Sequence, residues 1–273
     1  METLASAFTS QSDLDRMQQM LERCSSLTQG IGKLPAVPTP DWCDRAALAI
    51  ATVFPHADVA LLLTDMGEGG RIRDVLSIGA AATRQNVTQR GDALDRRVRV
   101  EALTGIPWSP DGMRIPEDGD VISRTYARAD LHGSPHANYL HIPANGSLVA
   151  TAALVSNENR ARKLITYVIL PYATPQAFES MMVVRLGTGL LAKLAEVAIG
   201  PGPEPVQWLT NREQEVLDQL VLGHSVKEIS EALGRSPHTI HDHVKSLHRK
   251  LNANSRGELV AKALGHIPPA PSH

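Results

Sequence analysis

Apolar residues recur every three or four positions toward both ends of the chain, whereas the middle holds short apolar runs. Near the start, Leu14, Met17, Leu21, Cys24 and Leu27 share one face of a helix predicted over residues 13–29. Asp41 is placed to cap a second helix holding Trp42, Ala46, Ala49, Ile50 and Val53. The period then shortens. Val59 to Thr64, Ile72 to Ile78, Val121 to Tyr126, Leu148 to Ser156 and Leu164 to Leu170 predict strands. The last two flank the polar turn Asn157 to Arg162, as in a hairpin. Residues 92–104 are expected to be helical after Asp92, and the Pro and Gly of residues 105–120 to form a loop. Thr174-Pro175 opens a long helix to about Ile199, since proline is tolerated at the first helical position. Val183, Leu186, Leu190, Leu194 and Val197 form its apolar stripe, which is either core or a dimer seam.

Two breaks divide this pattern. Gly200-Pro201-Gly202-Pro203-Glu204-Pro205 can neither continue a helix nor pair in a sheet and reads as a linker. Pro35-Ala36-Val37-Pro38-Thr39-Pro40 separates the first helix from the second. The expected organisation is an amphipathic helix in 1–34, an α+β domain in 35–199, a linker in 200–206, an all-α domain in 207–267 and a tail in 268–273. Helices, antiparallel strands and a closing helix make an α+β pattern whose element order resembles GAF or PAS sensory domains.

Beyond the linker, helix ends are written into the sequence. Thr210 with Glu213 and Ser255 with Glu258 are capping-box pairs, Ser225 and Ser236-Pro237 open two further helices, and Gly223 and Gly234 stand where helices stop. Val216, Leu217 and Leu220, then Ile229 and Leu233, then Leu259, Val260, Ala263 and Leu264 supply the apolar faces of three of these helices. The second and third are separated by a turn of only a few residues, which is a helix-turn-helix. The stretch Leu209 to Leu264 resembles the DNA-binding domain of LuxR-type (GerE-like) regulators. Matching positions run through all four helices, among them Thr210, Glu213, Val216, Gly223, Lys227, Ile229, Leu233, Ser236, Thr239, Ile240, Lys250, Leu251 and Leu259.

The third helix of this stretch divides by rotation. Ile240, Val244, Leu247 and Leu251 are spaced four, three and four and must face the core. At about 100° per residue, His238, Asp242, Lys245 and Arg249 fall on the opposite side, as a helix in a major groove requires. The resemblance implies that His241, Asp242 and Lys245 face base edges, that Lys227, Arg235 and Thr239 lie along phosphates, and that Ser236 is a further DNA-contacting candidate. His241 stands where Lys or Arg is common in such domains. Asp242 is unusual near DNA and reads either as a specificity element accepting from a cytosine N4 or as a tolerated residue. Arg235, Lys245, Arg249, Lys250 and Arg256 make this end basic against Asp242 alone.

Charge and composition change little. The net charge of −2 names no nucleic-acid partner by itself, so local clustering has to carry that reading. Cys24 and Cys43 lack metal-ligand spacing. The N-terminus has no secretory pattern and the apolar runs are too short to span a membrane, so a cytoplasmic protein is expected. His238, His241, His243 and His248 scatter around one helix and do not suggest a metal site. Protonation of His238 or His241 near phosphates would instead strengthen DNA binding at acidic pH. His132, His136 and His141, with Asp130, are either solvated loop residues or a ligand or metal site. Five parallel βα units, which a phosphorylated receiver domain needs, are not predicted. The Trp, Tyr and Asp-Pro set of acyl-homoserine-lactone sensors is not found.

No phosphate loop, nucleophile elbow or zinc motif occurs in residues 1–200, so no enzyme and no cofactor are expected. The reading is a dimeric transcriptional regulator, its partners being double-stranded DNA, a small-molecule or protein signal and, as a candidate, RNA polymerase. The alternative is an enzyme or protein-interaction domain with an accessory DNA-binding domain.

Overall fold

The computed structural model describes residues 11–54, 56–67, 72–82, 121–128, 142–155, 162–172, 174–200 and 205–266. The helix expected over 92–104, the loop over 105–120 and His132, His136 and His141 lie outside the described residues.

The N-terminal part is a five-stranded antiparallel sheet with three helices on one face. Its helices are α1 (Gln11–Ile31), α2 (Trp42–Ala51) and α3 (Thr174–Ile199). Its strands are β1 (Asp58–Met66), β2 (Ile72–Ala82), β3 (Ile122–Ala127), β4 (Ser147–Leu154) and β5 (Arg162–Leu170), in the order β2-β1-β5-β4-β3. The β1–β2 and β4–β5 pairs are antiparallel. An antiparallel sheet is not the parallel βα array of a receiver domain.

Strand alternation sorts side chains between two cores. Val59, Leu61 and Leu63 of β1, Val149 and Ala153 of β4, and Leu164, Val168 and Leu170 of β5 face the helices. Leu62, Leu148, Ala150, Ala152, Ile165 and Tyr167 face the other way. At the helical face, α2 approaches β2 so closely that a Cβ at Gly79 would collide with the Cys43 carbonyl carbon, so only glycine fits there. Asp44 accepts the Ala80 N–H at 3.1 Å beside it. Burial pushes the Cys43 thiol up to about 12, which keeps it a neutral packing group.

Two helix faces and one helix cap differ from the pattern in the sequence. On α1, Leu27 is buried but Leu14 and Leu21 are largely exposed. On α3, Val183 is buried and Leu194 packs on the core, yet Leu186 and Leu190 point to solvent. Its buried stripe is instead Ala177, Ser180, Val184, Gly187, Thr188, Leu191, Ala192, Ala195 and Ala198, with Val183. Small residues let α3 lie close: a Cβ at Gly187 would sit 2.8 Å from a Leu27 methyl of α1. Thr188 meets Thr151 at 2.6 Å and donates to Thr166 at 3.1 Å, satisfying three buried hydroxyls between helix and sheet. Third, Asp41 makes no side-chain cap on α2. Its carboxylate accepts from Arg45 Nε at 2.6 Å, one turn on, and that charge-assisted bond replaces the cap.

The other end of α3 is held by Arg162, which is almost fully buried. Its guanidinium donates to Asp65 at 3.2 Å and to the carbonyls of Ile199 and Gly200 at 3.0 Å each. The last carbonyls of a helix lack internal partners, so a cation there satisfies them and opposes the helix dipole.

Candidate DNA interface

The C-terminal part is a four-helix unit: α4 (Asn211–Val221), α5 (Val226–Leu233), α6 (Pro237–Lys250) and α7 (Arg256–Ala263). Each helix begins where its cap dictates. Thr210 accepts from the Glu213 N–H while Glu213 accepts from the Thr210 N–H, and Ser225 and Glu228 repeat that reciprocal box. Ser236 accepts from the Thr239 N–H at 3.1 Å, with Pro237 at the first helical position. Ser255 accepts from Glu258, but the Glu258 carboxylate reaches the Asn254 N–H and leaves the expected box half-formed. Gly234 ends α5 in the left-handed region at φ 60°, which a side chain would strain, and the chain turns at once into α6.

The unit closes around Val216, Leu217, Leu220, Ile229, Ile240, Leu247, Leu251 and Leu259, with Val244 partly buried against them. This is the inner face expected for α6. Leu264, expected inside, is half exposed just past the end of α7. Glu213 pins α4 to α6, since its carboxylate accepts from Lys250 Nζ and Ser246 Oγ at 2.7 Å each. Burial pushes its pKa up, but the Lys250, Thr210 and Ser246 bonds win and hold it at about 2. Lys262 is buried beneath Glu258 and donates to the Leu251 and Asn252 carbonyls at the end of α6.

Outside this core, eight of the nine candidate contact residues are exposed: Lys227, Arg235, Ser236, His238, His241, Asp242, Lys245 and Arg249. Thr239 is half-buried, its hydroxyl 2.9 Å from that of Ser236. The structure therefore gathers the start of α6, the turn before it and one side of its length into one polar surface. His238 and Asp242 stand one turn apart there, Nε2 to Oδ2 3.7 Å. Arg235, Thr239 and His243 line a groove bounded on α4 by Arg212 and Glu215, which pair at 2.6 Å.

Two cations expected on the basic end are tied to partners within the domain, although Arg256 stays exposed. Lys250 is committed to Glu213 and the Trp208 carbonyl. Arg256 donates to the His224 carbonyl at 2.7 Å, closing the end of α4. No sequence spacing marks these internal roles, because the partners lie more than thirty residues away.

A short turn joining two capped helices, the second buried on one side and polar on the other, defines a helix-turn-helix domain. Residues 207–263 match the family described as bacterial regulatory proteins, luxR family, and this C-terminal domain is a LuxR-type helix-turn-helix domain. Curated relatives include the transcriptional regulatory protein MctR of Rhizobium johnstonii, 35% identical over 79 residues, covering 29% of this chain and 36% of MctR. Another is the transcriptional regulatory protein UhpA of Escherichia coli, 43% identical over 54 residues, covering 20% of this chain and 28% of UhpA. Among solved structures, Escherichia coli SdiA is 15% identical, covering 82% of this chain and 92% of that one, with a TM-score of 0.32. The chain spans about a third or less of the length of the curated relatives it matches, from 26% to 36%.

Proposed function

We propose that this chain is a sequence-specific DNA-binding transcriptional regulator, in which the N-terminal α+β domain receives a signal and the helix-turn-helix carries the output. The carrying observation is the division of α6, whose apolar side closes the core while His238, His241, Asp242, Lys245 and Arg249 stay in solvent. A helix in a major groove needs such a surface, with cations at its margins for phosphates. Lys245, His241 and Asp242 meet base edges in this reading, and Lys227, Arg235, Ser236, Thr239 and Arg249 meet the backbone. Ser236 caps α6 as well, so its hydroxyl serves the fold first.

The protein acts as a dimer on a near-palindromic duplex, two α6 helices entering successive major grooves. Phe178, Met182, Leu186 and Leu190 form an exposed apolar line along α3 that supports pairing there. Among the described residues no helix is long and apolar enough to cross a membrane. The N-terminal domain is a GAF- or PAS-like sensor without catalytic activity, its signal being a small molecule or a protein.

The test is selection of duplexes from a random library, followed by titration of the full chain. Lys245→Ala is expected to weaken the selected duplex by ~1–3 kcal/mol and a scrambled one by less. Equal losses on both would remove Lys245 from base reading, and failure to enrich any duplex would remove the proposed function.

A further inference from the structure

The Pro35–Pro40 segment is a Pro-rich break between two helices in sequence, and in the structure residues 36–39 are all buried. They are buried against the DNA-binding domain. Val37 is 3% exposed and belongs to the same core as Leu217 and Leu259. The Ala36 N–H donates to the Ala263 carbonyl at the end of α7, at 3.2 Å, and the Pro38 carbonyl accepts from the Leu209 N–H at 2.9 Å. A Cβ at Gly265 would stand 3.1 Å from the Ala36 side chain. Arg45 then reaches across to Asp218 of α4 at 3.6 Å while holding Asp41. Burial raises the Asp41 pKa, but Arg45, Gln214 and Thr39 outweigh it and keep the group ionised below the usual carboxylate range.

On its other side the same segment is fastened to the N-terminal domain. Trp42, fully buried, donates its indole N–H to the Pro35 carbonyl at 3.0 Å. The segment runs directly into α2, which is locked onto edge strand β2 at Gly79 and Ala80. Trp208 supplies a second fastening: its ring packs on the N-terminal core and its carbonyl accepts from Lys250 of the DNA-binding domain. Three prolines fix φ and lower the entropy lost when such a segment docks.

We propose that residues 35–41 are a strap that docks the DNA-binding domain onto the N-terminal domain, and that its release is the conformational step coupling the two. The docked surface is the end of α7, the start of α4 and the Asp218 side of α4, so the polar side of α6 stays open while its orientation is fixed. Movement of β2 or α2 reaches the strap without passing through residues 200–206. The consequence for DNA rests on α6 being the reading helix, whereas the docking itself does not.

Nuclear spin relaxation of backbone amides in the full chain separates the two. In the unaltered protein the amides of α4–α7 are expected to share the rotational correlation time of the sheet amides. In Val37→Asp the α4–α7 value should fall at least about twofold, as for a small domain on a flexible tether. Because Val37 touches the helix-turn-helix core, Arg45→Glu supplies a second release variant remote from that core, and adding Asp218→Arg to it should restore the common value. A common correlation time in both release variants, or separate tumbling in the unaltered chain, overturns the strap. On selected duplexes, release should weaken binding to two spaced half-sites about tenfold and leave a single half-site within about twofold, because only paired sites use fixed orientation. Equal weakening on both duplexes overturns the coupling role. If no duplex is ever enriched, the relaxation arm still decides the docking.

Discussion

Helices α3 and α6 each bury one side against a domain core and leave the other in solvent, and their sequences inform to very different degrees. In α6 the apolar residues occupy one side and everything else is polar, so rotation about the axis leaves a single way to bury it. In α3 only Glu179, Arg185, Lys193 and Glu196 are charged over 26 residues, and apolar groups lie all round. Periodicity then singles out the largest side chains, Leu186 and Leu190, which the structure leaves in solvent, while Ala, Gly, Ser and Thr face the sheet. A helix meant to lie close to its neighbours buries its small residues, because contact distance and not side-chain size sets the packing enthalpy.

The contrast can be broken from the α6 side first. Leu247 is fully buried, and Leu247→Ala should cost about 2–5 kcal/mol, read as accelerated hydrogen exchange across α4–α7. Unchanged exchange would mean that α6 is not held by its apolar side. On α3 the opposite kind of change is the damaging one. Gly187→Val adds bulk where a Cβ already meets Leu27 at 2.8 Å, and should cost about 1–3 kcal/mol in urea unfolding, with α1 loosened first.

The Glu213 clasp between α4 and α6 comes next. Its folded pKa of about 2 lies below the reference value of 4.5, so its stabilisation is complete above that reference and disappears as pH falls toward 2. Glu213→Gln should therefore lower stability by about 1–3 kcal/mol at neutral pH, with the gap to the parent narrowing steadily between pH 4.5 and 2. A pH-independent gap would show that the carboxylate charge is not what holds the helices. The smallest effect is expected at Leu186→Lys, within about 0.5 kcal/mol in urea unfolding, since the side chain is 43% exposed. The same variant should shift sedimentation toward monomer if α3 is the dimer seam, and a large loss of stability would return Leu186 to the core.

Legibility followed the range of the interactions. Thr210 and Glu213, three residues apart, form the expected box, whereas Ser255 and Glu258, at the same spacing, form only half of theirs because Glu258 turns to the Asn254 N–H. Asp41 was equally local in appearance, yet Arg45 four residues on competes for its carboxylate and wins. Lys250, Arg256 and Lys262 look alike to any count of basic charge. Only the fold reveals that each lies against a carbonyl or carboxylate from another element, Arg256 while still exposed, and that Lys227, Arg235, Lys245 and Arg249 all stand exposed on the candidate DNA surface.

From the sequence by itself come the helix starts and stops after residue 207, the antiparallel character of the sheet and the side of α6 that turns outward. These rest on capping hydrogen bonds within one turn and on periods of two and 3.6, which need no knowledge of the partner. Tertiary structure alone decided which side of α3 is buried, which cations stay in water and that Pro35–Pro40 lies buried on the DNA-binding domain. Each of those depends on which surfaces meet, and burial free energy belongs to the pair of surfaces, not to either segment.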